Sequence, residues 1–286
     1  MRAFKRHLLG FIVSALLGSA VAQAGCLGEQ NTTKVHIFDV VPQLTASKIY
    51  STWSPLLQRV GQDAGLCFEL RVAGTIPEFE QKLLKGEPEF VFLNPYHAVL
   101  AYQKKKYQPL LADSSELLTG IVVVRADSAI QSLDELRGKS VAFPSPNSFA
   151  ATLLIRSELA KKTIDVTPVF VKNHSNVYRG VISKDTVAGA GVNNTLDNEA
   201  PEIRQQLRVL FETSGFTPHP VATHPSVSAS VRERFLKAML KLTQDEEGRK
   251  LLDAVSLNKP QAVSYVKHYK PLESLQLDKF LVLTGQ

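Results

Sequence analysis

Residue patterns that mark an enzyme are scarce in this sequence. There is no Gly-x-Ser-x-Gly elbow, no Cys–His pair and no strong paired-carboxylate site. Gly138-Lys139-Ser140 imitates the end of a phosphate loop. However, the earlier glycine of that motif would fall at Leu133, and the piece precedes a strand instead of following one. His219 and His224 flank a proline-rich bend without enough neighbouring ligands for a metal ion. No catalytic residue, metal or cofactor is therefore expected. Internal repeats and low-complexity tracts are also absent, which excludes a solenoid.

Excess charge is small. The net +6 includes Arg2, Lys5 and Arg6, which lie in a segment free of acidic residues, so removing that segment leaves about +3. Nucleic acid is not expected as a partner. The segment itself, residues 1–24, has a basic start, an apolar run over residues 8–21 that is short for a membrane span, and Ala22-Gln23-Ala24 as a small-x-small cleavage site. It reads as a cleaved secretory signal and places the mature chain in the periplasm. Cysteine is limited to Cys26 and Cys67. In an exported chain the pair reads as a disulfide between the mature N-terminus and the second strand, with a free thiol or metal ligand as the rival readings. Cys26 also resembles a lipoprotein acylation site, but Gln23 stands where such sites usually carry an aliphatic residue.

What is present is a regular α/β rhythm. Short apolar strands near residues 34–40, 67–72 and 90–93 alternate with helices over 51–64, 78–85 and 96–103. The rhythm repeats after the β-branched run 117–125, with strands at 141–143, 166–171 and 187–192. Ser132–Glu135 and Ser230–Glu233 read as capping boxes. Residues 254–286 carry little signal. The organising stretch is 139–158. Its strand is stopped by Pro144 and Pro146, and the following helix is capped by Asn147 or Ser148, so that unpaired N–H groups point beyond the strand ends. Two such lobes joined by extended crossings near residues 118 and 212 describe a hinged clamshell in which the second lobe is inserted into the first.

At this point the chain resembles a known family, the periplasmic substrate-binding proteins of phosphonate, phosphite and phosphate ABC transporters. The likeness is carried by Trp53-Ser-Pro-Leu56, Phe90-Val-Phe-Leu-Asn94, Ile121-Val-Val-Val-Arg125, Ser132-Leu-Asp-Glu-Leu-Arg-Gly-Lys139, Pro146-Asn-Ser148, Asn173-His174 and Asn193-Asn-Thr195. No one of these is specific; their order and spacing together carry the resemblance. It implies a two-lobed type II periplasmic-binding-protein fold, each lobe a mostly parallel sheet flanked by helices. The expected division is a lobe of residues 25–117 with 213–286 and a second of 118–212. It also implies a small oxyanion in the interlobe cleft and delivery by a monomer to an ABC permease. A sensory protein read by a membrane histidine kinase is the alternative, and an enzyme on this fold the third reading.

The candidate ligand-binding residues are Asn147, Ser148, Phe149 and Ala150 at the central turn, Tyr96 and His97 after the third strand, and His174, Asn194 and Thr195 in the second lobe. Thr45 and Ser47 in the first loop complete the set. Ser148 can serve as both anion donor and helix cap. Tyr96 serves as ligand contact or lobe-junction packing, and His174 as ligand contact or solvated cap. The family usually follows Pro-Asn-Ser with Thr-Ser-Gly, whereas Phe149, Ala150 and Ala151 stand here. A more apolar, less anionic pocket is expected, with backbone N–H groups replacing the lost hydroxyls. The family's carboxylate near Thr186 is matched only by the displaced Asp185.

Overall fold

The computed structural model describes residues 26–282, so the expected signal peptide lies outside the described residues. The strands in chain order are Leu27–Gly28 (β1), Val35–Val40 (β2), Cys67–Val72 (β3), Phe90–Phe92 (β4), Gln108–Asp113 (β5), Gly120–Arg125 (β6), Ser140–Phe143 (β7), Thr167–Phe170 (β8), Ala188–Val192 (β9), Leu207–Glu212 (β10), Pro220–Thr223 (β11) and Pro260–Ala262 (β12). They form two sheets, β1-β3-β2-β4-β11-β5-β12 and β10-β6-β9-β7-β8. The chain is thus a two-lobed α/β clamshell.

Both sheets are mixed. Strands β3, β2 and β4 are parallel in one sheet, and β8, β7 and β9 in the other. Strand β11 enters after the chain has returned from the second lobe and runs antiparallel to β4 and β5. Strand β5 was not legible as a strand because Pro109 interrupts it. The ladder accommodates this with a register shift opposite Val221 and Ala222. The crossings between lobes pair with each other, Leu118 N–H donating to Phe216 O at 2.8 Å and Thr213 N–H to Gly120 O at 2.9 Å.

Helices in the first lobe are Ala46–Ala64 (α1), Ile76–Lys85 (α2) and Pro95–Lys105 (α3). Helix α1 begins earlier than its apolar face suggests, because the Thr45 hydroxyl accepts from Lys48 N–H; it ends at Gly65 with φ 63°. The helix Ala229–Lys241 also corrects the sequence reading: Ser228, not Ser230, is its cap, accepting from Val231 N–H. The box at Ser132 and Glu135 is present. Cys26 and Cys67 are disulfide-bonded, with Cα atoms 5.6 Å apart, which ties the start of the described chain to β3.

In the second lobe the period of two is visible along β6. Ile121 and Val123 enter one apolar cluster, with Val177, Tyr178 and Val181, while Val122 and Val124 enter the other, with Leu133, Phe143 and Ile155. A six-residue π-helix, Phe149–Leu154, leads into Ile155–Lys161 (α4), and Phe149, Ala150 and Ala151 join the core cluster of the first lobe. Helices His174–Ile182 (α5) and Asn193–Asp197 (α6) complete the cleft side. The glycine-rich strand β9 has a packing cause: a Cβ on Gly191 would run into the Tyr178 hydroxyl, and one on Gly189 into Val177. The C-terminal tail crosses back to the second lobe, where Val282 N–H donates to Asn147 Oδ1 at 3.0 Å.

Gly191→Ala should lower unfolding free energy by about 1–3 kcal/mol through overpacking against Tyr178. Urea denaturation checks this, and an unchanged midpoint would mean that α5 yields freely. Reduction of Cys26–Cys67, which lie 41 residues apart, should cost about 4 kcal/mol on the loop-entropy relation, measured the same way with and without reductant.

Candidate functional site

The loops that follow the parallel strands face one another across the two lobes. After β4, Asn94 Oδ1 accepts from His97 N–H at 2.8 Å, and Pro95 starts α3. Tyr96 and His97 are thereby held on the first turn, both buried. After β8, Asn173 Oδ1 accepts from Asn176 N–H at 2.9 Å and sets His174 at the first position of α5. After β7, Ser148 precedes the π-helix; its carbonyl accepts from both Thr152 N–H at 2.9 Å and Leu153 N–H at 3.0 Å. The Thr152 hydroxyl donates to Ser145 O at 2.6 Å and tightens the turn. The first N–H groups of this helix have no partner within it.

Two residues join these loops, Gln43 through its backbone carbonyl and side-chain amide and Glu80 through its carboxylate. The Gln43 carbonyl accepts from His174 N–H and lies 3.2 Å from His174 Nδ1, while the Gln43 amide lies 2.8 Å from His219 Nε2. Glu80 on α2 holds His97 Nε2 at 2.8 Å with one oxygen and accepts from Asn147 Nδ2 at 2.9 Å with the other. The Gln43–His174 and Glu80–Asn147 contacts cross between the lobes. Around them, Ser145 Oγ, His97 Nδ1, His174 Nε2 and His219 Nδ1 are buried without a hydrogen-bond partner among the described residues. Buried polar atoms in that state are uncommon and are completed by ordered water or by a bound group. Phe92 stacks on His219 at 5.5 Å and Trp53 packs on Phe92 at 4.9 Å, giving the floor an apolar backing.

The residues singled out from sequence are distributed unevenly. Asn147, Tyr96, His97 and His174 are at this junction, and Ser148 is buried beside them with no cap hydrogen bond from its side chain. Phe149 and Ala150 are buried, the Phe149 ring lying edge-on to Phe216 at 5.6 Å. Thr195 is buried with its hydroxyl 2.7 Å from Tyr178 Oη and donating to Val192 O at 2.9 Å. Asn194 lines a rim pocket of about 170 Å³ between the lobes, alongside Asp113, Glu116, Asp197 and Asp253. Thr45 and Ser47 are exposed, Thr45 as the cap of α1.

Gln43, Glu80, Ser145 and His219 were not picked out as site residues. For Glu80 a signal existed. It shares the buried face of α2 with Ile76, Phe79 and Leu83, and a carboxylate on an apolar stripe needs a partner. For Gln43 and His219 there was none, since they lie far apart in the chain.

The family described as "ABC transporter, phosphonate, periplasmic substrate-binding protein" matches residues 38–269 of the chain. No curated protein matches significantly in sequence. Among solved structures, the chain is similar to a binding-protein component of an ABC phosphonate transporter from Pseudomonas aeruginosa, at 17% identity and TM-score 0.78, covering 86% of each chain. It is also similar to a protein from Prochlorococcus marinus solved in complex with methylphosphonate, at 14% identity and TM-score 0.77, covering 86% of this chain and 98% of that one. A protein from Xanthomonas citri bound to chloride ion has TM-score 0.64 at 19% identity, with 86% and 98% covered.

Burial controls the ionisation of the cleft. It lowers the His174 pKa to about 4. It also lowers that of His219 to about 3, with the neighbouring His174 and His97 pushing the same way. The Asp39 carboxyl, buried under the first lobe's sheet, is raised to about 6 by desolvation, against the pull of Lys82 and Arg71. The two kinds of group act oppositely. An unfolded chain binds more protons at the histidines below about pH 6.5, so their contribution lowers stability as pH falls towards 4. Folded Asp39 holds its proton more tightly, so its contribution raises stability as pH falls through 6. The urea midpoint should therefore fall between pH 6.5 and 4 less steeply in His219→Gln and more steeply in Asp39→Asn than in the parent protein. An unaltered slope in His219→Gln would show that His219 is not held neutral by the fold.

Proposed function

The chain belongs to the periplasmic substrate-binding proteins of phosphonate ABC transporters, and we propose from that premise that its interlobe junction is where it captures a small phosphonate- or phosphate-like oxyanion for its permease. The protein is a binding protein, not an enzyme. One observation carries the assignment of the site: four buried polar atoms, on Ser145, His97, His174 and His219, are contributed by both lobes and have no partner within the described protein. The lobes are residues 25–117 with 213–286, and 118–212, hinged at the paired crossings.

In this reading the anion is held by the Ser145 and Ser148 hydroxyls, His219, and the helix-start N–H groups at Phe149 and Ala150. Tyr96, His97, His174 and Asn194 close around it. Thr45, Ser47 and Thr195 act at the margin. Affinity comes from oriented dipoles in a water-poor cleft, because no lysine or arginine among the described residues hydrogen-bonds to this cluster. Residues 1–24 are the cleaved export signal. The sulfur of Cys26 is engaged with Cys67, and a lipid thioether would need that same atom, so the mature protein is free in the periplasm.

A thermal-shift panel of phosphate, phosphite, methylphosphonate, neutral sugars and cationic amino acids tests this. A ligand at about 100 times its Kd adds about 2.7 kcal/mol, so the right oxyanion should raise the midpoint by several degrees. Stabilisation by sugars or cations alone would sink the assignment. Ser145→Ala should weaken binding by about threefold to tenfold, the worth of one hydrogen bond. Ser148→Asp should abolish it, and unchanged binding in Ser148→Asp would remove Ser148 from the site.

A further inference from the structure

The last stretch of the chain is rooted in the first lobe and ends on the second. After β12 the Tyr265 ring stacks on Tyr102 of α3 at 3.6 Å, and Tyr269 Oη donates to Pro218 O at 2.9 Å. Leu272 and Leu277 are buried in the first lobe's core. Between them Gln276 takes φ 49°, a left-handed conformation that redirects the backbone. From Leu277 the chain runs on to two residues of the second lobe. Phe280 O accepts from Arg156 Nη1 of α4 at 3.3 Å, and the Arg156 guanidinium lies 5.2 Å from the centre of the Phe280 ring. Val282 then pairs with the Asn147 side chain, its N–H donating to Oδ1 and its carbonyl accepting from Nδ2, both at 3.0 Å.

Both amide hydrogens of Asn147 are spent on the first lobe and its tail, one on Val282 O and one on Glu80 Oε2 of α2. The residue is buried at 5% exposure, so losing these partners without regaining water is costly. Asn147 and Arg156 belong to the second lobe, whereas Glu80 and the root of the tail belong to the first. Rotation about the paired crossings, Leu118 with Phe216 and Gly120 with Thr213, carries Asn147 and Arg156 away from α2. The three hydrogen bonds made by the tail therefore exist only while the lobes are together.

We propose that residues 277–282 are a strap that latches the two lobes in the closed arrangement, and that the cleft opens only when Asn147 and Arg156 release it. The inference needs the two lobes and not the identity of the ligand. Each of the three bonds is worth about threefold to tenfold in an equilibrium, so together they shift the closed-to-open ratio by at least about tenfold. The strap and a ligand that favours closure reinforce one another, because both act on the same equilibrium.

Amide hydrogen exchange, read residue by residue on the mature chain without ligand, tests this. The His174 N–H donates across the lobes to Gln43 O at 3.2 Å and reports opening, while Val91 on the central strand β4 reports unfolding of the first lobe. In a chain ending at Leu277 the His174 amide should exchange at least about tenfold faster than in the parent protein, with Val91 unchanged. Val282→Pro removes only the N–H donated to Asn147 and should give about threefold to tenfold. An unchanged His174 rate, the result if the tail simply rode with the second lobe, overturns the proposal. Equal acceleration of both amides overturns it too, since the tail would then only support the fold. Should the shortened chain fail to fold, Val282→Pro and Arg156→Gln decide the matter by the same two amides.

Discussion

Gln43 is the residue on which the cleft depends. Its carbonyl takes the backbone N–H and ring of His174 from one lobe, while its amide reaches His219 beside the other lobe's strand β11. One residue thus joins the lobes and contacts two buried rings. Both rings are buried, which lowers their pKa values, and each keeps one nitrogen without a partner among the described residues. The Glu80 bridge from His97 to Asn147 does the same on the far side, tying α2 and α3 to the turn after β7. Removing either bridge would leave buried polar groups unpaired, which costs more than the bond itself contributes.

The apolar run Phe149-Ala150-Ala151 acquires a meaning in this setting. These side chains pack into the core of the opposite lobe, all at or below 1% exposure. The helix start is thereby held by hydrophobic contact and not by hydrogen bonds from its own side chains. The C-terminal tail adds a second restraint on this turn, since Val282 both accepts from and donates to the Asn147 side chain.

Local chemistry made much of this legible before any coordinates. The α/β alternation, the box at Ser132 and Glu135, the prolines after β7 and the disulfide between Cys26 and Cys67 each follow from short-range rules about periodicity, capping and compartment. Where the reading of the elements fell short, a competing local signal had masked the right one. Strand β5 was hidden by Pro109, the first turn of α1 by the cap at Thr45, and the cap at Ser228 by a decoy at Ser230. Glu80 was within reach of sequence reasoning, as a carboxylate on the buried stripe of α2.

The sequence by itself determined the elements, their order and the two-lobed plan, because hydrophobic period and turn chemistry act between residues close in the chain. Only the tertiary structure decided that Gln43, 131 residues from His174 and 176 from His219, would touch both. It alone also decided which ring nitrogen of each histidine would face Gln43 and which would be left without a partner among the described residues. A ring's hydrogen is placed by whatever acceptor lies against it, and the sequence does not record which distant carbonyl that will be.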